Sequence, residues 1–208
     1  MDPAPLLDPV RLLPAAGRAA APWSNGGGTT REIAAGPPGA GWSTFAWRVS
    51  LADVDRDGPY SPLPGVRRIL TMVAGAGMEL TVDGVRTPVT ERFRPVSFAG
   101  GAATDCRLAA GPVVNFNVMV RDGRCTADVV MARGRHAVSA ALGPDGAVLV
   151  VAVAGEALLT PAAAGEPVRL GRYDAALLAA GTAADLDAGP DGVAAVVTLV
   201  PSVTPVGG

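Results

Sequence analysis

The sequence predicts an all-β protein built as a duplicated small barrel of the jelly-roll type. Three observations carry that expectation: short β-branched runs set off by turn formers, thin evidence for helices, and an internal repeat at a spacing of 80 residues. The runs are 45–54, 67–75, 77–84, 113–120, 125–132, 147–155 and 193–200. VDG at 82–84, RDG at 121–123 and GPDG at 143–146 and 189–192 punctuate them. Many short strands at such intervals read as a sandwich or barrel. The one helix-like stretch, LLDPVRLLPAA at 6–16, is interrupted by Pro9 and Pro14, which remove amide donors and clash with a continuing helix.

A shift of 80 residues lays Val73-Ala74-Gly75 on Val153-Ala154-Gly155, Arg92-Phe93 on Arg172-Tyr173, and Asp105 on Asp185. About ten of the fifty-three positions in 68–120 are identical without a gap, and strand, turn and strand stay in step throughout. Each copy has a strand, a tight glycine turn (VAGAG, VAGEA), a hairpin, an apolar strand (RPVSFAGG, DAALLAAG) and a return strand. That is the order of a cupin-like barrel, so two copies make a bicupin. The expected organisation is an N-terminal barrel over 1–120, then a linker (121–147) and a C-terminal barrel within 121–208, packed as one unit.

Composition narrows the chemistry. Half the chain is apolar, 17% is charged and the formal net charge is −2, which speaks against nucleic-acid or anionic-membrane binding. All 17 basic residues are arginine, so Schiff-base, P-loop and general-base lysines are excluded. Cys106 and Cys125 are too few for a disulfide framework or zinc ribbon. No apolar stretch of about 18 residues lacks a Gly, Pro or charge, and the N-terminus lacks the basic and apolar regions of a signal peptide. A cytoplasmic setting is expected.

Alternation along strands then locates a polar face. Residues two apart share a face, which groups Arg48 with Ser50 and Ala52, Arg68 with Leu70 and Met72, and Asn115 with Asn117 and Met119. Under the shift these become Val148 for Arg68, Ala195 for Asn115, Val197 for Asn117 and Leu199 for Met119. The second copy is aliphatic where the first is polar. A buried unpaired amide costs about 1–3 kcal/mol and a lone guanidinium more, so the first barrel is expected to hold a pocket. The alternative has the arginines pointing to solvent and the asparagines satisfying backbone.

PWSNGGGTTREIA (22–34) is the most unusual segment. Three glycines in a row suit positive φ or a close approach and are able to aim amides at an anion; a plain flexible loop is the alternative. DGPYSPLPG (57–65) reads as a proline-stiffened loop leading to Arg68. The single histidine, His136, cannot build a multi-histidine metal site and reads as a surface residue, so no metal and no cofactor are expected. The two cysteines read as buried small hydrophobes.

PWSNGGGTTREIA (22–34), FAWRVSLADVDRDGPYSPLPGVRRIL (45–70) and GPVVNFNVMVRDG (111–123) together resemble the HutD/Ves family. The resemblance covers about a third of the chain and implies a metal-free bicupin with an RmlC-like jelly roll. It also implies a regulatory or sensing role associated with histidine utilisation or stress responses. By resemblance the ligand-binding residues are Trp23, Asn25, Gly26, Gly27, Thr29 and Glu32, then Arg48, Ser50, Tyr60, Ser61 and Arg68, then Asn117 and Met119. Where the family often has phenylalanine this chain has Tyr60, and where it often has lysine this chain has Ser24.

Three functions follow. A binding protein would hold a small organic acid on Arg48 and Arg68, with Asn117 and Asn25 reading its polar groups; urocanate and N-formylglutamate are the acids the resemblance implies. A metal-independent isomerase or hydrolase would use Glu32 or Tyr60 as acid or base. A structural module would pair both arginines internally and keep no cavity. The ligand, any protein partner, and monomer versus homodimer stay open at this level.

Overall fold

Strands alone make up the regular structure. The computed structural model describes residues 10–202 apart from 142, 144, 145 and 164, and none of these lies in a helix. All seven expected runs are strands. Pro144 and Asp145 of the GPDG turn, and residues 6–9 of the proline-broken segment, lie outside the described residues.

The chain divides into two compact units. One is Arg18–Thr126. Its larger sheet has the order β2 (Ala20–Pro22), β3 (Gly28–Gly36), β4 (Trp47–Val54), β11 (Val113–Arg121), β6 (Val66–Ala74) and β9 (Val96–Ala99). Its smaller sheet has the order β5 (Gly58–Tyr60), β10 (Thr104–Leu108), β7 (Met78–Val82) and β8 (Val85–Val89). Val54, Leu70, Met72, Phe98 and Val113 from the first sheet pack against Met78, Leu80, Val89 and Cys106 from the second. These are the alternating positions that period-two patterning sends to one face.

The other unit is Ala127–Pro201 with the N-terminal segment up to Gly17. Its sheets are β1 (Val10–Leu13), β17 (Ala175–Leu178), β14 (Ala147–Ala154), β19 (Val193–Pro201) and β12 (Cys125–Ala132), then β13 (Arg135–Ser139), β18 (Ala183–Asp187), β15 (Ala157–Pro161) and β16 (Val168–Leu170). Its core is aliphatic, with Val148, Val150, Leu159, Leu170, Leu178, Leu186 and Val196 at its centre. In neither unit do the sheets join into a closed barrel; each is a pair of facing sheets in the jelly-roll manner.

Setting aside β1, β2 and β3 reveals the duplication. What remains is β4-β11-β6-β9 over β5-β10-β7-β8 in one unit, and β12-β19-β14-β17 over β13-β18-β15-β16 in the other. A backbone signature agrees. Phe93 and Tyr173, 80 residues apart, both have left-handed φ (67° and 71°), and their amides donate to the carbonyls of Met72 and Ala152. The repeat therefore reaches further than expected: 121–147 contains β12 and β13, counterparts of β4 and β5, and is not merely a linker.

Two other expectations change. The N-terminal segment, read as part of the first barrel, supplies β1, which pairs with β17 from Val10↔Leu178 to Leu13↔Ala175. The 80-residue shift also slips by one on the last strand. Asn115 pairs with Met72, whereas Ala152, the counterpart of Met72, pairs with Ala194. The register irregularity itself is shared, Val114 pairing with Ala74 and Val193 with Ala154; the slip arises because the chain from Ala154 to Val193 is one residue shorter than that from Ala74 to Val114. Since one residue changes the face, the counterparts of Asn115, Asn117 and Met119 are Ala194, Val196 and Thr198, and not Ala195, Val197 and Leu199. Both asparagines still give way to aliphatic residues.

Gly28 shows why the glycine run cannot be an arbitrary loop. A Cβ there would lie 2.1 Å from the carbonyl oxygen of Asp53 on the paired strand. Gly26, at φ 68°, makes the preceding turn. Gly28→Ala is expected to destabilise by about 1–3 kcal/mol, the usual range for overpacking a site that cannot yield; calorimetric melting of the variant against wild type measures it.

Candidate functional site

Strand register assembles the polar face row by row. Met119 on β11 has Arg48 of β4 on one side and Arg68 of β6 on the other, with Phe98 beyond Arg68. The next row is Glu32, Ser50, Asn117 and Leu70, and the third is Thr30, Ala52, Asn115 and Met72. With neighbouring strands about 4.8 Å apart, the two arginine backbones stand roughly 10 Å apart, two strand spacings, facing the same side.

That side opens into a cavity of about 440 Å³, a size typical of small-molecule sites. Arg48, Ser50, Arg68, Asn117 and Met119 form its floor, Trp23, Ser24 and Asn25 one wall, and Pro59, Tyr60, Ser61 and Leu63 another. Trp23 meets Tyr60 edge to face at 5.7 Å, and its Nε1 donates to Thr30 Oγ1 at 2.8 Å. Asn25 Nδ2 reaches the carbonyl of Pro59 at 3.3 Å, tying the glycine loop to the proline-stiffened loop.

The two arginines are held differently. Arg48 Nη1 lies 2.9 Å from Glu32 Oε2, and its guanidinium sits 4.2 Å over the Trp42 ring. Arg68 is buried, at 8% exposure, with no carboxylate paired to it among the described residues. Among the described residues ring faces attend it, Tyr60 at 5.0 Å and Phe98 at 5.5 Å, and its Nε is buried without a hydrogen-bond partner. Burial pulls its pKa below the usual guanidinium value, with Tyr60 opposing that shift; an arginine side chain nonetheless remains a cation at neutral pH. Asn115 Oδ1 and Asn117 Oδ1 are likewise buried without partners.

Tyr60 is not arranged as a base. Burial pushes its phenol well above the ordinary value, the Cys106 thiol adds to the rise, and Arg68 and Asn115 oppose it. Its hydroxyl accepts from Asn115 Nδ2 at 3.3 Å. Burial also raises the Cys106 thiol, which contacts Met78 Sδ at 3.6 Å and stays unreactive in the core. Glu32, the other acid–base candidate, is outside the cavity lining and committed to Arg48.

Of the thirteen residues singled out in the sequence, nine line the cavity: Trp23, Asn25, Arg48, Ser50, Tyr60, Ser61, Arg68, Asn117 and Met119. Gly26, Gly27, Thr29 and Glu32 do not. The loop amides are spent locally, Gly26 N–H on the Trp23 carbonyl and Gly27 N–H on Asn25 Oδ1, so they form no anion nest. Thr29 lies on the opposite face, bonding Asp53 together with Arg31. Sequence reasoning missed Trp42 and Thr30. Thr30 was available from alternation with Glu32, whereas Trp42 comes from the connection before β4, which has no periodicity to read. Arg48 is paired as an inert module requires, but Arg68 is not and the cavity persists. Among the described residues no cluster of three or more His, Cys, Asp and Glu is placed to hold a metal ion, and no helix is long and apolar enough to cross a membrane. His136 is half-buried on β13, opposite Leu186.

The family model described as HutD matches residues 15–196. The chain belongs to the HutD family. Among curated relatives of this HutD-family chain, an uncharacterised 21.2 kDa protein in the hutC 3′ region of Pseudomonas putida is 39% identical over 47% of this chain and 51% of its own. Protein Ves of Citrobacter koseri is 37% identical over 53% and 57%. The matches thus span little more than half the length of these relatives. HutD of Pseudomonas fluorescens SBW25, solved in a formate condition, superimposes with a TM-score of 0.78 at 31% identity, covering 92% of this chain and 98% of that one. A cupin 2 barrel domain protein of Leptotrichia buccalis gives 0.54 at 12% identity over 82% and 88%, a likeness of fold. The duplicated jelly roll is accordingly of the cupin type.

Two outcomes follow from the unpartnered groups and the buried phenol. Asn117→Val, which installs the residue found at the matching place in the other unit, is expected to raise stability by about 1 kcal/mol, because it removes an unsatisfied buried amide oxygen; thermal melts check this. Tyr60 has a higher pKa folded than unfolded, so the unfolded state releases its proton first as pH rises. The stability tied to Tyr60 is intact below its ordinary value of 10.0 and is lost above it, at up to about 1.4 kcal/mol per pH unit. Melting temperature measured from pH 9 to 11.5 (roughly the window that linkage sets) is expected to fall more steeply for wild type than for Tyr60→Phe.

Proposed function

We propose that this HutD-family chain is a metabolite-binding protein that takes a small carboxylate into the cavity of the Arg18–Thr126 unit. Its role would be that of a cytoplasmic sensor or regulator linked to histidine utilisation or a stress response. Arg68 carries the reading: a cation at 8% exposure, lining a cavity, with no carboxylate of its own among the described residues. Burying a guanidinium unpaired is costly, and a bound carboxylate supplies the missing charge through charge-assisted hydrogen bonds.

The remaining lining suits the rest of such a molecule. Trp23, Trp42, Tyr60 and Met119 offer apolar and aromatic surface, while Asn117, Ser50 and Asn25 offer polar contacts. Urocanate and N-formylglutamate are the candidate acids, supported by family membership and by the relative whose name places it in a hutC 3′ region. Neither Tyr60, held protonated, nor Glu32, held by Arg48, supports an acid–base mechanism, which favours binding over turnover.

The test is a thermal-shift screen of small organic acids, followed by calorimetric titration. An acid present at a hundred times its Kd adds about 2.7 kcal/mol of stability, and Arg68→Ala is expected to weaken it at least about 30-fold, in line with loss of a buried charge pair. The reading fails if no carboxylate stabilises the wild type, or if Arg68→Ala binds equally well.

A further inference from the structure

We infer that Glu32 sets the charge of the ligand: it neutralises Arg48, so the pocket selects an acid with one carboxylate and disfavours one with two. The inference rests on the carboxylate reading above and deepens it. The resemblance placed Glu32 among ligand-binding residues; the geometry assigns it to specificity instead. Register between β3 and β4 is irregular at Glu32/Ala34, and Glu32 stands opposite Ser50, at the edge of the row that contains Asn117. From there its carboxylate reaches Arg48 Nη1 at 2.9 Å with 43% of its side chain exposed. Arg48, at 13% side-chain exposure, is thus compensated by an anion and stacked on Trp42.

The charges facing the cavity therefore sum to one unit, located at Arg68. A single ligand carboxylate satisfies it. A second carboxylate would have to settle near Arg48, where it meets the negative charge of Glu32, and like charges at close range in a partly desolvated site repel strongly. The acceptor Asn117 Oδ1, buried, unpartnered and on the cavity lining, also favours an N–H or O–H donor over another anion in the body of the ligand. The chemical class is a monocarboxylate carrying at least one hydrogen-bond donor.

Calorimetric titration of the full chain with urocanate, which has one carboxylate, and N-formylglutamate, which has two, tests this. Wild type is expected to prefer urocanate. Glu32→Gln frees the Arg48 charge and should tighten N-formylglutamate about tenfold relative to urocanate. The double variant Glu32→Gln/Arg48→Gln removes both charges and should return the affinity ratio to that of wild type, which a merely structural role for Glu32 would not do. A ratio unmoved by Glu32→Gln, or a wild-type preference for N-formylglutamate, overturns the inference while leaving the carboxylate reading intact. If neither acid binds wild type or either variant, this inference falls, and the carboxylate reading falls with it when no other acid of the screen binds.

Discussion

A guanidinium buried with no carboxylate partner among the described residues is the constraint on which the first unit turns. Arg68 sits mid-strand, where β6 is hydrogen-bonded to β11 and β9 on either side, so the backbone cannot swing it into water. Its surroundings have to make that tolerable. The ring faces of Tyr60 and Phe98 supply the attraction that an aromatic quadrupole offers a cation, and the cavity leaves its outer edge accessible. Tyr60 is shaped by the same demand: its ring serves Arg68 while its hydroxyl serves Asn115. Around one charged side chain, the packing, the opening and the tyrosine's protonation state become a single problem.

The other unit shows what the same architecture does without that demand. At the places of Arg68, Asn115 and Asn117 it carries Val148, Ala194 and Val196, all buried in one aliphatic cluster. Duplication has separated two tasks that compete within one core: the solid unit is free to optimise burial of carbon, while its counterpart retains polar groups that weaken a core unless something fills it. Cupin architecture hosts many activities, and here the divergence of the copies is more informative than the fold.

Much of this was legible in the sequence because strands write their geometry with period two. Alternation alone put Arg48 with Ser50 and Arg68 with Leu70 on the correct faces, and the repeat pointed to the half that keeps the cavity. Legibility ended where periodicity did. A one-residue shortening before the last strand leaves no mark where alanine follows alanine, so the shift led to Ala195 where Ala194 is the counterpart. The glycine run announced unusual backbone, but not that Asn25 and Trp23 would consume its amides. Trp42 reaches Arg48 from an irregular connection, and Glu32 faces Arg48 across a strand pair; both facts depend on tertiary placement.

Strand β1 gives the chain an unusual order of assembly. Val10–Leu13 pairs with Ala175–Leu178, which follows more than 160 residues later in the chain. During synthesis that strand has no native neighbour until its distant partner has been made. Such distant pairings are slow to form because a long loop must close first, and an apolar strand left waiting is exposed to wrong partners. The unit with the aliphatic core is therefore the one that depends on joining distant stretches of the chain.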